Sequence, residues 1–455
     1  MAALARRGAA ILVFETSLPS PRTFPPRKLT PQRGDSTPRD TKVQPDMRGR
    51  QRFDAPPGAV GTTIVGILGY NEPATALSLF LVCYAPRLHH RPQIRSTDTM
   101  TNADKIDRTI TGNYFEDFTL GQRIVHATPR TVTVGDTSVY TALYGGRFAV
   151  QSSDAFAQSI GYPRSPIDDM LVFHFVIGKT VPDISRNAIA NLGYAEFRFE
   201  KPVYPGDTIA SVSEVIGVKQ NSNGKNGTVY VRTTGRNQNG DVVLAFKRWV
   251  MVTKRDLDAP APETVIPEND KSVEPETLGK ALPALKLTVY DYALAGSPRR
   301  WENYAVGDKI DHVDGQTIEE AEHQMATRLY QNTARVHFNQ HRESQERFGR
   351  RLVYGGHIIS IARSLSFNGL ANAFHVLGLN GARHAAPSFA GDTIYAWSEV
   401  LDKAQVPGRS DMGALRLRTF AVKDRACADF PGVKDDGSLE EGVVLDMDYW
   451  VALPR

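Results

Sequence analysis

Apolar and polar positions run through the same pattern twice along this chain, so the elements that they predict also occur twice. Each copy opens with short strand-like stretches, whose apolar positions are Ile124 and Val132 in copy one and Ile310 and Ile318 in copy two. A segment of about 25 residues with helical spacing follows in both copies. Its apolar positions are Val139, Ala142, Leu143, Phe148 and Phe156 in the first, and Met325, Leu329, Val336 and Phe338 in the second.

The second half of each copy holds another apolar, helix-like stretch, Leu171–Ile177 or Ile358–Leu365, and then a series of strands. In copy one the strand-like runs are Tyr194–Phe199, Thr208–Val218, Val229–Thr234 and Val242–Val252. Turn signals rich in Gly, Asn and Pro separate them. A helix followed by antiparallel strands with short turns is typical of an α+β layer. We therefore predict a tandem fold in which each copy is an antiparallel sheet wrapped around a long central helix.

Direct sequence matches indicate that the two copies arose by duplication. The string GDTIASVSEV at Gly206–Val215 returns as GDTIYAWSEV at Gly391–Val400, an offset of 185 residues. TALYGGRFAVQ at Thr141–Gln151 answers TRLYQNTARVH at Thr327–His337, an offset of 186 residues. The predicted organisation is an N-terminal extension (1–99), copy one (100–256), a linker (257–296) and copy two (297–455). The linker is rich in Pro and Glu, and we expect it to have little core potential.

The basic charge of the chain comes from its first 99 residues. They hold 12 of the 28 prolines, with 14 Lys and Arg against 7 Asp and Glu, whereas the rest carries 40 basic and 43 acidic residues. This stretch has no hydrophobic period, so we expect it to be disordered, or to be translated in error upstream of a start at Met100. Nucleic acid is not implied as a partner. The most apolar stretch, Ala74–Ala85, is too short to cross a bilayer, and we expect no membrane partner.

Cysteine is limited to Cys83 and Cys427, and only the second lies in the duplicated region. A disulfide framework and a cysteine-based metal site are therefore excluded there. This usage predicts a reducing, cytoplasmic location.

The two copies differ in chemistry at one equivalent helical position. Copy two has Asn332 and His337 where copy one has Gly146 and Gln151. Five residues on a regular helix correspond to about 140° between the two side chains, because a turn takes 3.6 residues. The pair can converge on one ligand only where a loop leads into the helix. A single helical histidine is also compatible with a structural role.

The segment Leu329–His337 resembles the hydratase motif of the MaoC-like family, double-hotdog enoyl-CoA hydratases, which reads Leu-Ser-Gly-Asp-x-Asn-Pro-x-His. His337 falls on the histidine of that motif and Asn332 falls on its aspartate, while Ala334 and Arg335 stand where Asn and Pro are expected. In the family, the aspartate and histidine hold and activate the water that adds to an enoyl thioester. The resemblance implies that His337 is the base or water-holding group. Asn332 can only orient the water, because an amide is not a base.

Longer strings are similar to the mesaconyl-CoA hydratases, also called β-methylmalyl-CoA dehydratases, over about residues 110–455. They are Phe115–Phe148, Asp168–Ser185, Asn191–Phe199 and Arg351–Ala373. This likeness implies a hydro-lyase that reversibly adds water to the C=C bond of mesaconyl-CoA to give β-methylmalyl-CoA. Its partner would be a small-molecule CoA thioester, with no cofactor besides the CoA of the substrate. A generic (R)-specific enoyl-CoA hydratase, a thioesterase and a non-catalytic acyl-CoA-binding protein stay open, as do a monomer and a homodimer.

Gly356, in the string YGGH before an apolar helix, resembles the glycine whose N–H group stabilises the thioester oxygen in the family. The N-terminus of a helix supplies unpaired donors and a favourable dipole for such an oxygen. A plain tight turn is the alternative explanation of the Gly355–Gly356 pair.

The carboxylate that Asn332 replaces has to come from elsewhere, and Asp136 and Asp169 of copy one are candidates. Each is equally explained as a helix cap. His174 and His357 are alternative catalytic groups. The free carboxylate of the substrate calls for arginine, whose fork pairs with two oxygens. The candidate substrate-binding residues next to the site segments are Arg147, Arg335, Arg351 and Tyr354.

Overall fold

A computed structural model of the chain describes residues 111–455, apart from Lys271 and Ala281. In the first hundred residues it describes only the backbone of three short strands, β1 (Ala10–Leu12), β2 (Gly66–Leu68) and β3 (Phe80–Leu81), which form a small antiparallel sheet. The prediction of an extension over residues 1–99 otherwise lies outside the described residues. No helix in the described part of the chain is long and apolar enough to span a membrane.

The elements follow the same broad order in both copies. Copy one contains β4 (Arg123–Val125), β5 (Arg130–Thr131), α1 (Val134–Tyr144), α2 (Ala149–Ser152), α3 (Asp154–Ser159), α4 (Asp169–Thr180), β6 (Ala188–Phe199), β7 (Thr208–Gln220), β8 (Asn226–Arg236) and β9 (Val242–Thr253). Copy two contains β10 (Lys309–Thr317), α5 (Glu320–Leu329), α6 (Arg335–Phe338), α7 (Gln340–Glu343), α8 (Gly355–Leu365), α9 (Phe367–Leu370), β11 (His375–His384), β12 (Thr393–Gln405), β13 (Met412–Lys423) and β14 (Val443–Pro454).

One continuous antiparallel sheet joins the two copies. Its strand order is β10-β12-β13-β14-β11-β6-β9-β8-β7-β4, with β5 pairing to β7 at the side. The copies meet where β6 pairs with β11, with Phe197 opposite Leu379. Along β7 the residues Ile209, Ser211, Ser213 and Val215 are buried while their neighbours are not. This alternation leaves one face of the strand on the core.

The sheet wraps two buried helices. α4 packs on β7 and β9, and α8 packs on β12 and β13. Every residue of α4 is buried, which agrees with the unbroken apolar character of Leu171–Ile177. Side chains of both copies share one hydrophobic core. The structure is thus the predicted tandem hotdog, with the second helical stretch of each copy as its central helix.

The predicted helix of about 25 residues before the central helix is wrong in extent, because each copy breaks it into short pieces. In copy one, α1 ends at Gly145 in the left-handed region (φ 61°), and the Ser153 side chain caps the separate helix α3. In copy two, Gln331 takes the left-handed conformation (φ 55°) just after α5. A left-handed residue stops a helix because it turns the backbone out of the hydrogen-bonded path.

The linker (257–296) contributes more side chains to the hydrophobic core than its composition suggests. Its apolar residues Val273, Leu278, Leu285 and Leu287 are buried in a cluster that also contains Trp450 of β14. The few apolar side chains among the Pro and Glu residues are therefore enough to fix the linker on the fold. Copy one's last strand ends at Thr253 and copy two's first strand begins at Lys309.

Two hydrogen bonds join a residue directly to its counterpart 186 positions away. The hydroxyl groups of Tyr144 and Tyr330 lie 2.6 Å apart, and His174 Nε2 lies 2.8 Å from Ser360 Oγ. Equivalent residues can touch each other only at a twofold axis. The axis that relates the copies therefore passes between these side chains.

A second pair of contacts shows the same pseudo-symmetry away from the axis. Arg130 Nη1 donates to the carbonyl of Leu329 at 2.5 Å, and Gln316 Nε2 donates to the carbonyl of Leu143 at 2.9 Å. Both donors and both acceptors are counterparts at an offset of 186. Each copy thus uses a side chain to satisfy the last turn of the other copy's helix.

Helix α4 touches the start of the copy-two loop that carries Asn332 and leads to His337. A Cβ atom at Gly178 would lie 1.8 Å from the carbonyl oxygen of Tyr330. No side chain fits there, so the glycine lets the backbone of one copy lie directly against the helix of the other.

Gly178→Ala should destabilise the protein by about 1–3 kcal/mol, because its methyl group would displace backbone at an overpacked contact. The matched control is Gly135→Ala in α1, where the nearest atom to an added Cβ is 3.5 Å away. The control should leave stability unchanged or raise it slightly, since alanine favours helices. Urea unfolding of both variants checks this. Equal stability of the two variants would contradict the contact.

Candidate active site

His337 lies in the short helix α6 with a defined tautomer. Its Nδ1 atom is 2.8 Å from the carbonyl oxygen of Leu352. A carbonyl only accepts hydrogen bonds, so Nδ1 carries the proton and Nε2 keeps its lone pair. The imidazole ring packs against Tyr354, with 5.6 Å between the ring centroids. His337 is thus held with Nε2 available to accept a proton.

Burial keeps the His337 ring neutral. Loss of solvation lowers its pKa to about 4, despite the opposing effect of the hydrogen bond to Leu352, and nearby His323 lowers it further. At neutral pH the ring is therefore in the form that a general base requires.

Asn332 lies in the loop between α5 and α6, which is the arrangement that convergence with His337 requires. Its side chain is buried, and its Oδ1 atom accepts a hydrogen bond of 3.1 Å from the backbone N–H of Ala334. Within the described residues its Nδ2 group makes no hydrogen bond, and the residue lines a cavity of about 410 Å³. The amide can donate a hydrogen bond into this cavity and orient a water molecule.

The N-terminus of α8 offers free backbone donors. No side chain caps it, and the N–H group of His357 is used by the carbonyl of Tyr354 at 2.8 Å. The N–H groups of Gly355 and Gly356 have no protein acceptor within the described residues. Both glycines are helical, which rules out the tight-turn alternative. Unpaired donors at a helix N-terminus favour a developing negative charge.

Gly356 is surrounded too closely for any side chain. An added Cβ atom would lie 2.4 Å from Cε1 of Tyr354 and 2.6 Å from Cε1 of His174. Tyr354 therefore packs against both Gly356 and His337. The Tyr354 ring thus contacts both the base and the helix end that carries the free donors.

The equivalent helix end in copy one is closed. Asp168 caps α4 by accepting a hydrogen bond of 2.8 Å from the N–H of Met170. Met170 is the counterpart of Gly356 at an offset of 186, so a long side chain stands where copy two has none. The geometry for stabilising an oxyanion exists in copy two and not at this position of copy one.

His174 and His357 lie in the buried network at the pseudo-twofold axis. His357 Nδ1 is 2.7 Å from the Tyr144 hydroxyl, and His174 stacks on Tyr330 with 4.2 Å between the ring centroids. Burial lowers the pKa of His357 to about 3 and holds the pKa of His174 well below its usual range. Both rings are neutral and support the wall behind Gly356.

Asp136 and Asp169 are engaged in holding the fold. Asp136 caps α1 through the backbone N–H of Thr133 at 2.8 Å and pairs with Arg130. Asp169 Oδ2 accepts from the backbone N–H of Val376 at 2.7 Å, and its Oδ1 faces His375. Both therefore serve as structural links, and the structure leaves neither carboxylate free of protein partners.

The predicted carboxylate-binding arginines have protein partners of their own. Exposed Arg147 lies over the ring of Phe367, Arg335 Nη1 bonds Asn187 at 3.2 Å, and Arg351 pairs with Glu320. Their roles in substrate binding stay predictions.

The structure adds two residues that the sequence pattern did not single out. Lys179, at the end of α4, is buried on the wall of the cavity beside Asn332 and donates to the side chain of Gln331. His384, at the end of β11, lies so close to Gly355 that an added Cβ would be 2.5 Å from its ring. The one sequence signal for Lys179 is a charge at the end of a mostly apolar helix.

The fold and the site define the class of the protein. A crystal structure of a MaoC domain protein dehydratase from Chloroflexus aurantiacus matches with a TM-score of 0.74 and 62% identity, over 76% of this chain and 99% of that chain. A Mycobacterium tuberculosis protein with a double hotdog fold matches with a TM-score of 0.58 and 25% identity, over 76% and 100% of the two chains. The protein is a double-hotdog protein of the MaoC-like class, which confirms the predicted fold.

Sequence comparison narrows the class to one family. The profile described as mesaconyl-CoA hydratase matches residues 95–435. A β-methylmalyl-CoA dehydratase from Chloroflexus aurantiacus is 63% identical over 76% of this chain and 99% of that protein. A mesaconyl-CoA hydratase from Cereibacter sphaeroides is 56% identical over 76% and 100%. The chain belongs to the mesaconyl-CoA hydratase family, a family of hydro-lyases, as the resemblance predicted.

Four histidines with lowered pKa values predict how stability depends on pH. Burial lowers the pKa of His312, His337 and His384 to about 4 and that of His357 to about 3. In the unfolded chain these histidines bind protons at their ordinary pKa near 6.5, whereas in the folded chain they stay neutral at this pH. The contribution of these histidines to the free energy of unfolding should be constant above that pH and fall as pH drops toward 4, by about 1.4 kcal/mol per pH unit for each of them.

Urea unfolding between pH 7.5 and pH 4.5 measures this slope. His384→Gln should make the decline shallower by one histidine's share. A free energy of unfolding that stays level across this range would contradict neutral, buried rings.

Proposed function

We propose that this protein is a hydro-lyase that reversibly adds water to the C=C bond of mesaconyl-CoA to give β-methylmalyl-CoA. The observation that carries the proposal is the junction at Tyr354, which packs against both the neutral base His337 and the uncapped helix end at Gly356. Hydration of an enoyl thioester needs these two features together. The relatives bearing this activity in their names are similar over nearly their full length.

In the hydration direction, His337 Nε2 takes a proton from water while the water oxygen bonds to C3, the carbon that bears the free carboxylate. The π electrons of the C2=C3 bond move to C2 and the thioester carbonyl, giving an enolate. The N–H groups of Gly355 and Gly356 stabilise its oxygen. The proton on His337 then passes to C2, so no atom or electron is left over. Asn332 holds the water by donating from Nδ2.

The proposal assigns one active site to each chain. Copy two has His337, Asn332 and a bare α8 N-terminus, while copy one has Asp168 and Met170 at the matching helix end. Copy one contributes to the cavity beside Asn332, since Gly178 and Lys179 of α4 line it together with that residue.

The reaction requires no cofactor beyond the CoA of the substrate, and a CoA thioester is the small-molecule partner. The proposed location is cytoplasmic, because Cys427 is an unpaired, buried thiol of the kind that a reducing compartment maintains. Burial also raises the pKa of this thiol to about 12. Assembly as a homodimer stays a prediction.

The test is the hydration of mesaconyl-CoA by the full chain, followed as loss of enoyl-thioester absorbance and gain of one water by mass. His337→Ala should lower kcat by about 10²–10⁴-fold, the usual contribution of a general base. His341→Ala is the matched control, because this exposed histidine lies four residues further along. It should keep full activity.

Full turnover by His337→Ala would remove this residue from the mechanism. Conversion of crotonyl-CoA without conversion of mesaconyl-CoA would leave the reaction type standing and overturn the substrate.

A further inference from the structure

Lys179 is a buried cation without an acidic partner. Its side chain is only 5% exposed, and its Nζ atom donates to the neutral side-chain oxygen of Gln331. Asp183, four residues on, bonds His126 Nδ1 at 2.7 Å and forms no ion pair with Lys179. Within the described part of the chain no carboxylate pairs with this lysine. A buried charge of this kind is costly unless an anion joins it.

The cavity next to Lys179 has the electrostatic character of an anion site. It encloses about 410 Å³, and its lining includes two basic residues, buried Lys179 and exposed Arg328, and no acidic residue. Burial lowers the pKa of Lys179, and nearby Arg130 lowers it further. An anion bound beside Lys179 would offset both the burial of its charge and the repulsion from Arg130.

The partner of Lys179 is held in an unusual backbone conformation. Gln331 has a φ of 55°, in the region that favours glycine, and its counterpart in copy one is Gly145 with a φ of 61°. A non-glycine residue is unfavourable there. The glutamine side chain is what anchors Lys179 at the cavity, and the counterpart of Lys179 in copy two is Leu365. Gln331 and Lys179, the two positions at which the copies differ here, therefore lie on the same side of the site.

We propose that Lys179 binds the free carboxylate of a dicarboxylic acyl-CoA and thereby selects it over a neutral acyl-CoA of the same shape. This proposal rests on the proposed function for the position of the acyl chain. In that reaction the carboxylate is attached to C3, the carbon that receives the hydroxyl group, so it must lie next to the residue that holds the water. Asn332 is that residue, and Gln331, which bonds Lys179, precedes it directly.

The arrangement also accounts for a neutral side chain at position 332. An aspartate there would place a negative charge on the wall of the cavity that Lys179 also lines, and it would repel the substrate carboxylate. Pairing the carboxylate with Lys179 further lowers the repulsion that the incoming hydroxyl oxygen meets at C3. Lys179 acts as a specificity-determining residue and takes no part in the proton transfer.

The test measures binding of two saturated ligands that the enzyme cannot hydrate, so it is independent of turnover. Succinyl-CoA carries a carboxylate where butyryl-CoA carries a methyl group, and the CoA portion is the same. By isothermal titration calorimetry, the full chain should bind succinyl-CoA more tightly than butyryl-CoA. Lys179→Met, which keeps the apolar stem, should weaken succinyl-CoA binding by about 10- to 100-fold and leave butyryl-CoA within about twofold, as expected for loss of one charge-assisted contact.

Lys219→Met, on the exposed edge of β7, is the matched control and should bind both ligands like the parent. Equal weakening of the two ligands by Lys179→Met would assign the lysine to the phosphates of CoA and overturn the proposal. Unchanged binding of both ligands would overturn it as well.

A second variant keeps the proposal testable if Lys179→Met does not fold. Asn332→Asp adds a negative charge to the cavity wall without removing any contact of Lys179. It should also weaken succinyl-CoA selectively, and an unchanged affinity for both ligands, or an equal loss for both, would overturn the proposal. Selective binding of succinyl-CoA by a parent chain that fails to hydrate mesaconyl-CoA would sink the proposed function but retain the carboxylate site.

Discussion

The structure depends on hydrogen bonds between residues and their own counterparts at the pseudo-twofold axis. Tyr144 meets Tyr330, and His174 meets Ser360. These contacts fix α1, α4 and α8 relative to one another. They leave β6 and β11 side by side, where they join the strands of the two copies into one sheet. The loop with Asn332 begins at Tyr330 and leads into the helix that carries His337, so the position of the site follows from the axis. Neither copy could supply these contacts alone.

The two copies share most of their backbone and core contacts and differ at few positions. Backbone and core contacts are duplicated, including the pair in which Arg130 and Gln316 reach across to the other copy's helix. Chemistry is confined to a few exchanged positions, of which Met170 against Gly356 and Leu365 against Lys179 are the clearest. One copy has kept an open helix end and the other has closed it. The copy with the closed helix end still forms one wall of the cavity.

The sequence predicted the parts of the fold that depend on local pattern. Leu171–Ile177 is apolar at almost every position because α4 is buried on all sides, and that signal survives in a single sequence. The helical spacing of apolar residues continues past Gly145 and so does not show the break after α1, although glycine is a strong helix terminator. Tertiary pairing explains the other failures. The burial of Lys179 depends on Gln331, 152 residues later, and no local period reports such a contact.

In the site, too, some features follow from local sequence and others depend on tertiary contacts. His337 could be proposed from its likeness to a known motif, but the carbonyl that sets its tautomer belongs to Leu352, in a different segment. Asp136 and Asp169 could be recognised as candidates for capping or catalysis, yet only their partners in space separate the two roles. Residue type identifies the candidates, and the neighbours supplied by the fold decide among them.

The contact between Tyr144 and Tyr330 has a consequence for the symmetry of the molecule. Two identical hydroxyl groups that share a hydrogen bond cannot play identical parts, because one must donate and the other must accept. The nearby ring that biases this choice is His357, which bonds Tyr144, and its counterpart in copy one is Leu171. The bond on the axis therefore has a polarity, and a single proton distinguishes the halves at the point where their atoms match best.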